Sequence, residues 1–253
     1  MNPELQKGGK GSPGHTASGK TKTQTIKTVV TLLFHFRVSE ILAKVRHRIR
    51  SRTVSYGLRR DLRIPFEPLP AKIPVTIRPL VRNDVSRLLG AHGPELSKQD
   101  ATEQAERMSF LLENIPTCYV AVTGDDVPCY MQWLMSSEYN SSIRARFNHV
   151  FPELAPDEAL LENAFTPESY RGMGIMSYAM AHIAKQAESF NARWVITFVA
   201  KENVPSLKGC KKAGFLPYLL RDDEWFLFRR KLAWTPLPEG SPYPFESTQI
   251  SNP

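Results

Sequence analysis

Residues 170–176 read YRGMGIM: an arginine, two glycines one residue apart, then the start of an apolar run with helical spacing. These residue types at this spacing suit the binding of a phosphate group. Gly172 and Gly174 let the backbone approach a ligand closely and take φ angles that other residues avoid. The first N–H groups of a helix have no partner inside it, and the helix dipole adds partial positive charge at the same end. Arg171 adds a full charge on a forked donor. The plainer alternative is a strand-to-helix turn with two glycines, since short glycine motifs recur by chance. Two phosphate motifs are excluded. Ser177 breaks the dinucleotide pattern GxGxxG, and the Gly-Lys-Ser/Thr ending of a P-loop is absent.

Two elements must hold this loop. ALLENAFT (159–166) reads as a strand entering it, and GIMSYAMAHIAKQAESF (174–190) as a helix leaving it. Upstream, VTIRPL (75–80) alternates like a strand. Asn83 or Asp84 can cap a helix through Val85, Leu88 and Leu89. QDATEQAERMSFLLENI (99–115) predicts a second helix with Met108, Leu111, Leu112 and Ile115 on one face. Residues 117–137 predict two strands joined at Gly124-Asp125-Asp126. Residues 138–158 show no clean period and read as a long structured loop. ARWVITFVA (192–200) predicts a buried strand and KENVPSLKGCKKAGF (201–215) a short helix. FLPYLL and EWFLFRRKL predict a closing hairpin turning at Arg221-Asp222-Asp223.

The remaining segments divide by composition. Residues 1–25, poor in large apolar side chains, read as a disordered tail. Residues 26–63 read as a basic amphipathic helical arm, with apolar residues from Ile26, Val29 and Val30 to Val45 and Ile49 at helical spacing. Residues 64–74, IPFEPLPAKIP, form a Pro-rich linker, and residues 233–253 a loose C-terminal tail. The net charge of +8 is uneven: residues 1–64 hold fourteen Lys/Arg against three acids, so the rest of the chain is net acidic. Three uses of the arm compete: a solvated helix packed on the domain, an interfacial helix on an anionic membrane, and a nucleic-acid contact, which ranks last for want of any supporting motif. Its apolar stretch is too short to span a bilayer. Cys118, Cys129 and Cys210 show neither CxxC spacing nor a disulfide framework. They point to a reducing, cytoplasmic setting, compatible with peripheral membrane attachment. No His, Asp or Glu cluster has metal-ligand spacing, so no metal is expected.

The order of elements from 75 to 232, with two motifs, resembles the GNAT (general N-acetyltransferase) superfamily. The first motif is Pro167 followed by YRGMGIM, similar to the family's Arg/Gln-x-x-Gly-x-Gly/Ala loop, with Met176 where Gly or Ala is usual. The second is NVPSLKGCKKAGF (203–215), in which Asn203, Gly214 and Phe215 match and Ser206 replaces Ala. The resemblance implies an α/β (α+β) fold, a mixed, mostly antiparallel central sheet flanked by helices, here with the basic arm added. It implies an acyl-CoA-dependent N-acyltransferase, an N-acetyltransferase in the first instance, with acetyl-CoA or another acyl-CoA as co-substrate and an amine-bearing acceptor. By the same resemblance, Arg171, Gly172, Met173, Gly174, Ile175 and Met176 would hold the pyrophosphate. The backbone of Ala164, Phe165 and Thr166 would pair with pantetheine, and Asn203 would hold its thiol end. Glu162 would be the base that takes the amine proton. Cys210 stands where the family often has a Tyr acid, and is either that acid or a small core residue, with Tyr218 and Tyr178 as substitutes. Glu138, Tyr139, Arg144, Arg146 and His149 would line the acceptor pocket. Two other readings stay open: a non-catalytic acyl-CoA-binding regulatory module, and a membrane-recruited acyltransferase using another donor.

Overall fold

The computed structural model describes residues 45–89, 104, 107–111, 115, 117–147 and 149–247. The expected tail over 1–25, the arm up to residue 44 and most of the expected helix over 99–115 lie outside them. The chain divides into two units, residues 1–51 with 225–230, and residues 52–224 with 231–253.

Eight strands form one sheet in the order β2-β3-β4-β5-β6-β1-β7-β8. They are β1 (Arg50–Asp61), β2 (Val75–Pro79), β3 (Cys118–Thr123), β4 (Pro128–Ser136), β5 (Glu158–Phe165), β6 (Trp194–Ala200), β7 (Leu216–Phe226) and β8 (Arg229–Pro236). The helices are α1 (Arg82–Leu89), α2 (Asn140–Phe147), α3 (Ile175–Lys185), α4 (Val204–Lys212) and the short α5 (Pro244–Ser247). The registered pairs are antiparallel except β5 with β6, which run parallel. The expected mixed, mostly antiparallel α/β architecture is the one found.

The sheet has a core on each face. On one, Leu161, Val195 and Leu58 pack with Ile175, Ala179 and Ile183 of α3 and Leu207 and Cys210 of α4. On the other, Leu160, Ile196, Phe198 and Trp133 pack with Leu88 and Leu89 of α1, with Ile143 of α2 and with Phe110. The β3–β4 hairpin turns at the expected Gly-Asp-Asp, with Asp126 at φ 56°. In α1 the capping residue is Asp84. From the third helical position it accepts the Val81 N–H at 2.9 Å and the Arg78 guanidinium at 2.6 and 2.9 Å, the return half of a capping box. Residues 138–158, expected as a loop, contain α2. In the expected 99–115 helix, residues 107–111 are helical, but Arg107 and Phe110 face inward while Met108 is exposed.

The basic arm is corrected in its second half. Residues 45–49 are helical, but residues 50–61 are β1, a central strand that pairs antiparallel with β6 from Ser55↔Ala200 to Asp61↔Trp194. The domain expected over 75–232 therefore takes in β1. The reason lies in distant partners. Arg59 lies over the Trp194 ring at 4.4 Å. Arg60, 7% exposed, donates to the carbonyls of Ala181 at 3.0 Å and Ala213 at 3.4 Å. Gly57 has no room for a side chain, since a Cβ would stand 2.9 Å from the Phe198 ring.

Two further expectations are corrected. Arg221-Asp222-Asp223 is not a turn but the middle of β7, where Asp222 is held by Arg52 of β1 at 2.6–3.1 Å. The turn falls at Leu227-Phe228, both with positive φ. The C-terminal segment is not loose throughout: β8 runs to Pro236, and buried Tyr243 donates its hydroxyl to the Phe215 carbonyl at 2.6 Å.

Candidate active site

β5 pairs with β4 from Ser136↔Ala159 to Trp133↔Glu162. The register then shifts before Met131↔Phe165. Asn163, at φ 58°, is the residue that takes up the shift, as in a β-bulge. On its other edge β5 pairs with β6 only over Glu158–Leu160 and Trp194–Ile196, while β6 stays paired with β1 as far as Ala200. Beyond Leu160 and Ile196 the two parallel strands part, so their facing edges are open to an extended ligand chain.

The parted end of β5 leads directly into the glycine loop. A single 3-10 turn, Glu168–Tyr170, is followed by extended Arg171, then Gly172 at φ 75° and Gly174 at φ 76°. Both angles lie in the left-handed region that glycine enters without strain. Gly174 is the N-cap of α3 and supplies no side-chain cap, so the first-turn N–H groups face the loop. The Lys72 N–H donates to the Met173 carbonyl at 2.8 Å. The Pro-rich linker thus lies against the loop, with Ala71 Cα 3.7 Å from where a Cβ on Gly174 would stand. Arg171 Nε donates to the Thr166 carbonyl at 3.2 Å, anchoring the guanidinium beside the loop. This exposed donor set of backbone amides, glycines and one arginine fits a diphosphate.

Glu162 stands opposite Trp133 in the register and is half-buried. Directly after it, the Asn163 Nδ2 is buried with no hydrogen-bond partner among the described residues. Arg107, 6% exposed, donates to the Ala164 carbonyl at 3.1 Å and lies over the Phe165 ring at 4.4 Å. Sequence reasoning missed both. A lone Asn in a strand and an Arg in an amphipathic run carry no signal until a bulge and a facing strand are known. The Ala164 and Thr166 carbonyls expected to meet pantetheine are each bonded to an arginine, and each keeps a second lone pair.

Residues 95–215 match the model of the acetyltransferase (GNAT) family. Residues 95–215 are a GNAT-family domain. Similar solved structures include a GNAT-family acetyltransferase from Colwellia psychrerythraea, at 10% identity and TM-score 0.45, covering 79% of this chain and 62% of that one. A GCN5-related N-acetyltransferase from Sphaerobacter thermophilus is 14% identical, with TM-score 0.40 and coverage of 74% and 57%. A tandem GNAT protein from the clavulanic acid biosynthesis pathway is 15% identical, with TM-score 0.44 and coverage of 80% and 59%. The chain spans less than two thirds of the length of each. No curated protein matches it.

The second GNAT motif is arranged around α4. Asn203 is its N-cap, accepting the Ser206 N–H on Oδ1 at 3.2 Å, so its amide nitrogen is the group left to donate to a ligand. Cys210 is corrected from a candidate acid to a core residue. It is 1% exposed and its Sγ lies 3.8 Å from Met180 Sδ. Burial, with the Glu162 carboxylate adding to it, pushes the thiol up to about 12. The Tyr218 phenol is also raised by burial, and the Tyr178 ring packs on His182 at 4.3 Å between centroids.

The expected acceptor residues do not all meet. Arg144 and His149, with Asn140, Ile143, Phe151 and Glu153, line a cavity of about 170 Å³. Arg144 is paired there with Glu153 at 2.6 Å. Arg146 points elsewhere, bonding the Ser109 hydroxyl and lying over the Phe110 ring at 4.9 Å. Tyr139 packs against the core, and Glu138 is exposed. Of the residues expected to line the acceptor pocket, Arg144 and Arg146 are thus engaged separately, Arg144 with Glu153 and Arg146 with Ser109. No helix among the described residues is long and apolar enough to cross a membrane.

Proposed function

We propose that this chain is an acyl-CoA-dependent N-acyltransferase, with acetyl-CoA as donor, moving the acyl group to an amine by direct attack. The observation that carries this reading is the parting of β5 from β6 at the strand that runs straight into the two-glycine loop. Such a cleft admits an extended arm between two strand edges while the loop amides and Arg171 hold its diphosphate. Acyl-CoA, when bound, would supply a thioester, whose C–S bond breaks as the C–N bond to the acceptor forms, the sulfur leaving as CoA thiolate that takes a proton from solvent. Glu162 accepts the proton that the attacking nitrogen loses. Backbone N–H groups beside Phe165, past the bulge, donate to the carbonyl oxygen as it gains charge. The Asn203 amide orients the thiol end.

One observation favours the second reading, a domain that binds acyl-CoA without turnover: the position expected to protonate the leaving sulfur is held by a core cysteine.

Calorimetric titration with acetyl-CoA, beside Arg171→Ala, tests the site. The expected result is micromolar binding that weakens about tenfold or more in the variant, the worth of one charge-assisted pair. No binding of acetyl-CoA or CoA by the unaltered chain would reject it. Binding with no turnover on any of a panel of amines would favour the second reading.

A further inference from the structure

Phe226, Leu227 and Phe228 are three consecutive large apolar residues, 59%, 59% and 57% exposed. They form the turn between β7 and β8. Leu227 and Phe228 have φ of 46° and 65°. Two-residue hairpin turns of this kind favour Asn and Gly, because a bulky side chain at positive φ is strained. Local physics therefore disfavours this sequence here, and no burial among the described residues offsets the cost. The turn is nevertheless fixed in place. The Leu227 N–H donates to the Ile49 carbonyl at 2.9 Å and the Phe228 N–H to the Arg48 carbonyl at 2.8 Å. Ile49 is itself 41% exposed.

Within the turn segment and the segment that it bonds, the charge is of one sign. Residues 45–51 and 225–230 hold Arg46, Arg48, Arg50, Arg229 and Arg230 and no acid. Arg48 and Arg230 lie over the Trp225 ring at 5.4 and 5.8 Å, and His47 stands beside it at 6.3 Å between ring centroids. We propose that this turn docks on an anionic lipid bilayer. Phe226, Leu227 and Phe228 enter the interfacial layer, Trp225 sits at headgroup depth, and the arginines meet lipid phosphates. Charge selects this partner. A second copy would bring the same cationic patch against itself. A nucleic acid would pair with the arginines but leave the apolar turn in water. The inference is independent of the proposed acyltransferase activity.

Flotation of the full chain with phosphatidylcholine vesicles, with and without phosphatidylglycerol, tests it. Binding is expected only with phosphatidylglycerol, weakening as salt is raised. The double substitution L227N/F228G gives the turn the residues its backbone prefers. It is expected to leave the thermal midpoint unchanged or higher while vesicle binding falls about tenfold or more. Equal flotation of this variant, or flotation that ignores phosphatidylglycerol, would overturn the proposal. So would a dimer in solution that the variant dissolves without any vesicle binding, or tight duplex DNA binding in place of vesicle binding.

Discussion

Met176 Sδ lies 2.9 Å from where a Cβ on Gly209 would stand. The first turn of α3 carries a bulky residue where the family motif usually has Gly or Ala, and α4 answers with the smallest residue at the point of contact. The loop therefore keeps its glycine geometry and needs no local distortion to hold the methionine.

Gly209→Val should destabilise the chain by about 1–3 kcal/mol through overpacking. Met176→Ala in the same chain should recover most of that loss. Denaturant unfolding of the two single variants and the double variant gives the coupling, expected at about 1 kcal/mol or more. Strict additivity would mean that the two helices do not meet through this pair.

Under the proposed reaction, Glu162→Gln should lower kcat about a hundredfold or more on any amine the chain accepts, with the Kd for acetyl-CoA unchanged. The carboxylate is assigned to the proton and not to the donor, so steady-state rates beside calorimetry separate the two. An unchanged kcat would assign the proton to water or to another group.

Cys210→Ala should leave kcat and the alkaline limb of the pH–rate profile unchanged, at a stability cost of about 1 kcal/mol for the packing lost against Met180. A buried thiol pushed up to about 12 stays protonated and shielded. It should also resist a thiol-modifying disulfide reagent until the chain unfolds. A profile that loses its alkaline limb would restore Cys210 as the acid.

Asp84 predicts an acid-sensitive stability. The Arg78 guanidinium and the Val81 N–H hold its carboxyl below the usual carboxylate range. Its side chain is 2% exposed and that of Arg78 26%. A depressed carboxylate contributes stability that is fully present above the unfolded pKa and lost as pH falls through the folded one. Asp84→Asn should therefore cost on the order of 2 kcal/mol at neutral pH. The gap in Tm between the two chains should close as the pH drops below about 4. A gap independent of pH would mean that the ion pair is not its source.

Where local rules act, sequence and structure agree. The Gly-Asp-Asp turn, the strand entering YRGMGIM and the left-handed glycines each depend on residues within a few positions of one another. The candidate site is only half contained in such rules. Arg171, Gly172 and Gly174 lie in the loop that opens α3. Asn163 and Arg107 become visible only once β5 is bulged against β4 and the 107–111 helix is laid beside it.

The sequence by itself determined the loop, its helix and the strands on either side, because steric limits on φ and hydrophobic periodicity are properties of neighbouring residues. Tertiary structure decided the rest. The run from Arg50 to Asp61 carries charges that suggest a solvated helix, yet it is a central strand, since Trp194, Ala181 and Ala213, more than a hundred residues away, give its arginines rings and carbonyls to meet. Cys210 became core because Met180 packs on it. Asp222 became strand because Arg52 lies on the neighbouring one. In each case the free energy that fixes the residue comes from a partner brought close only by folding, and no local pattern can encode which partner that is.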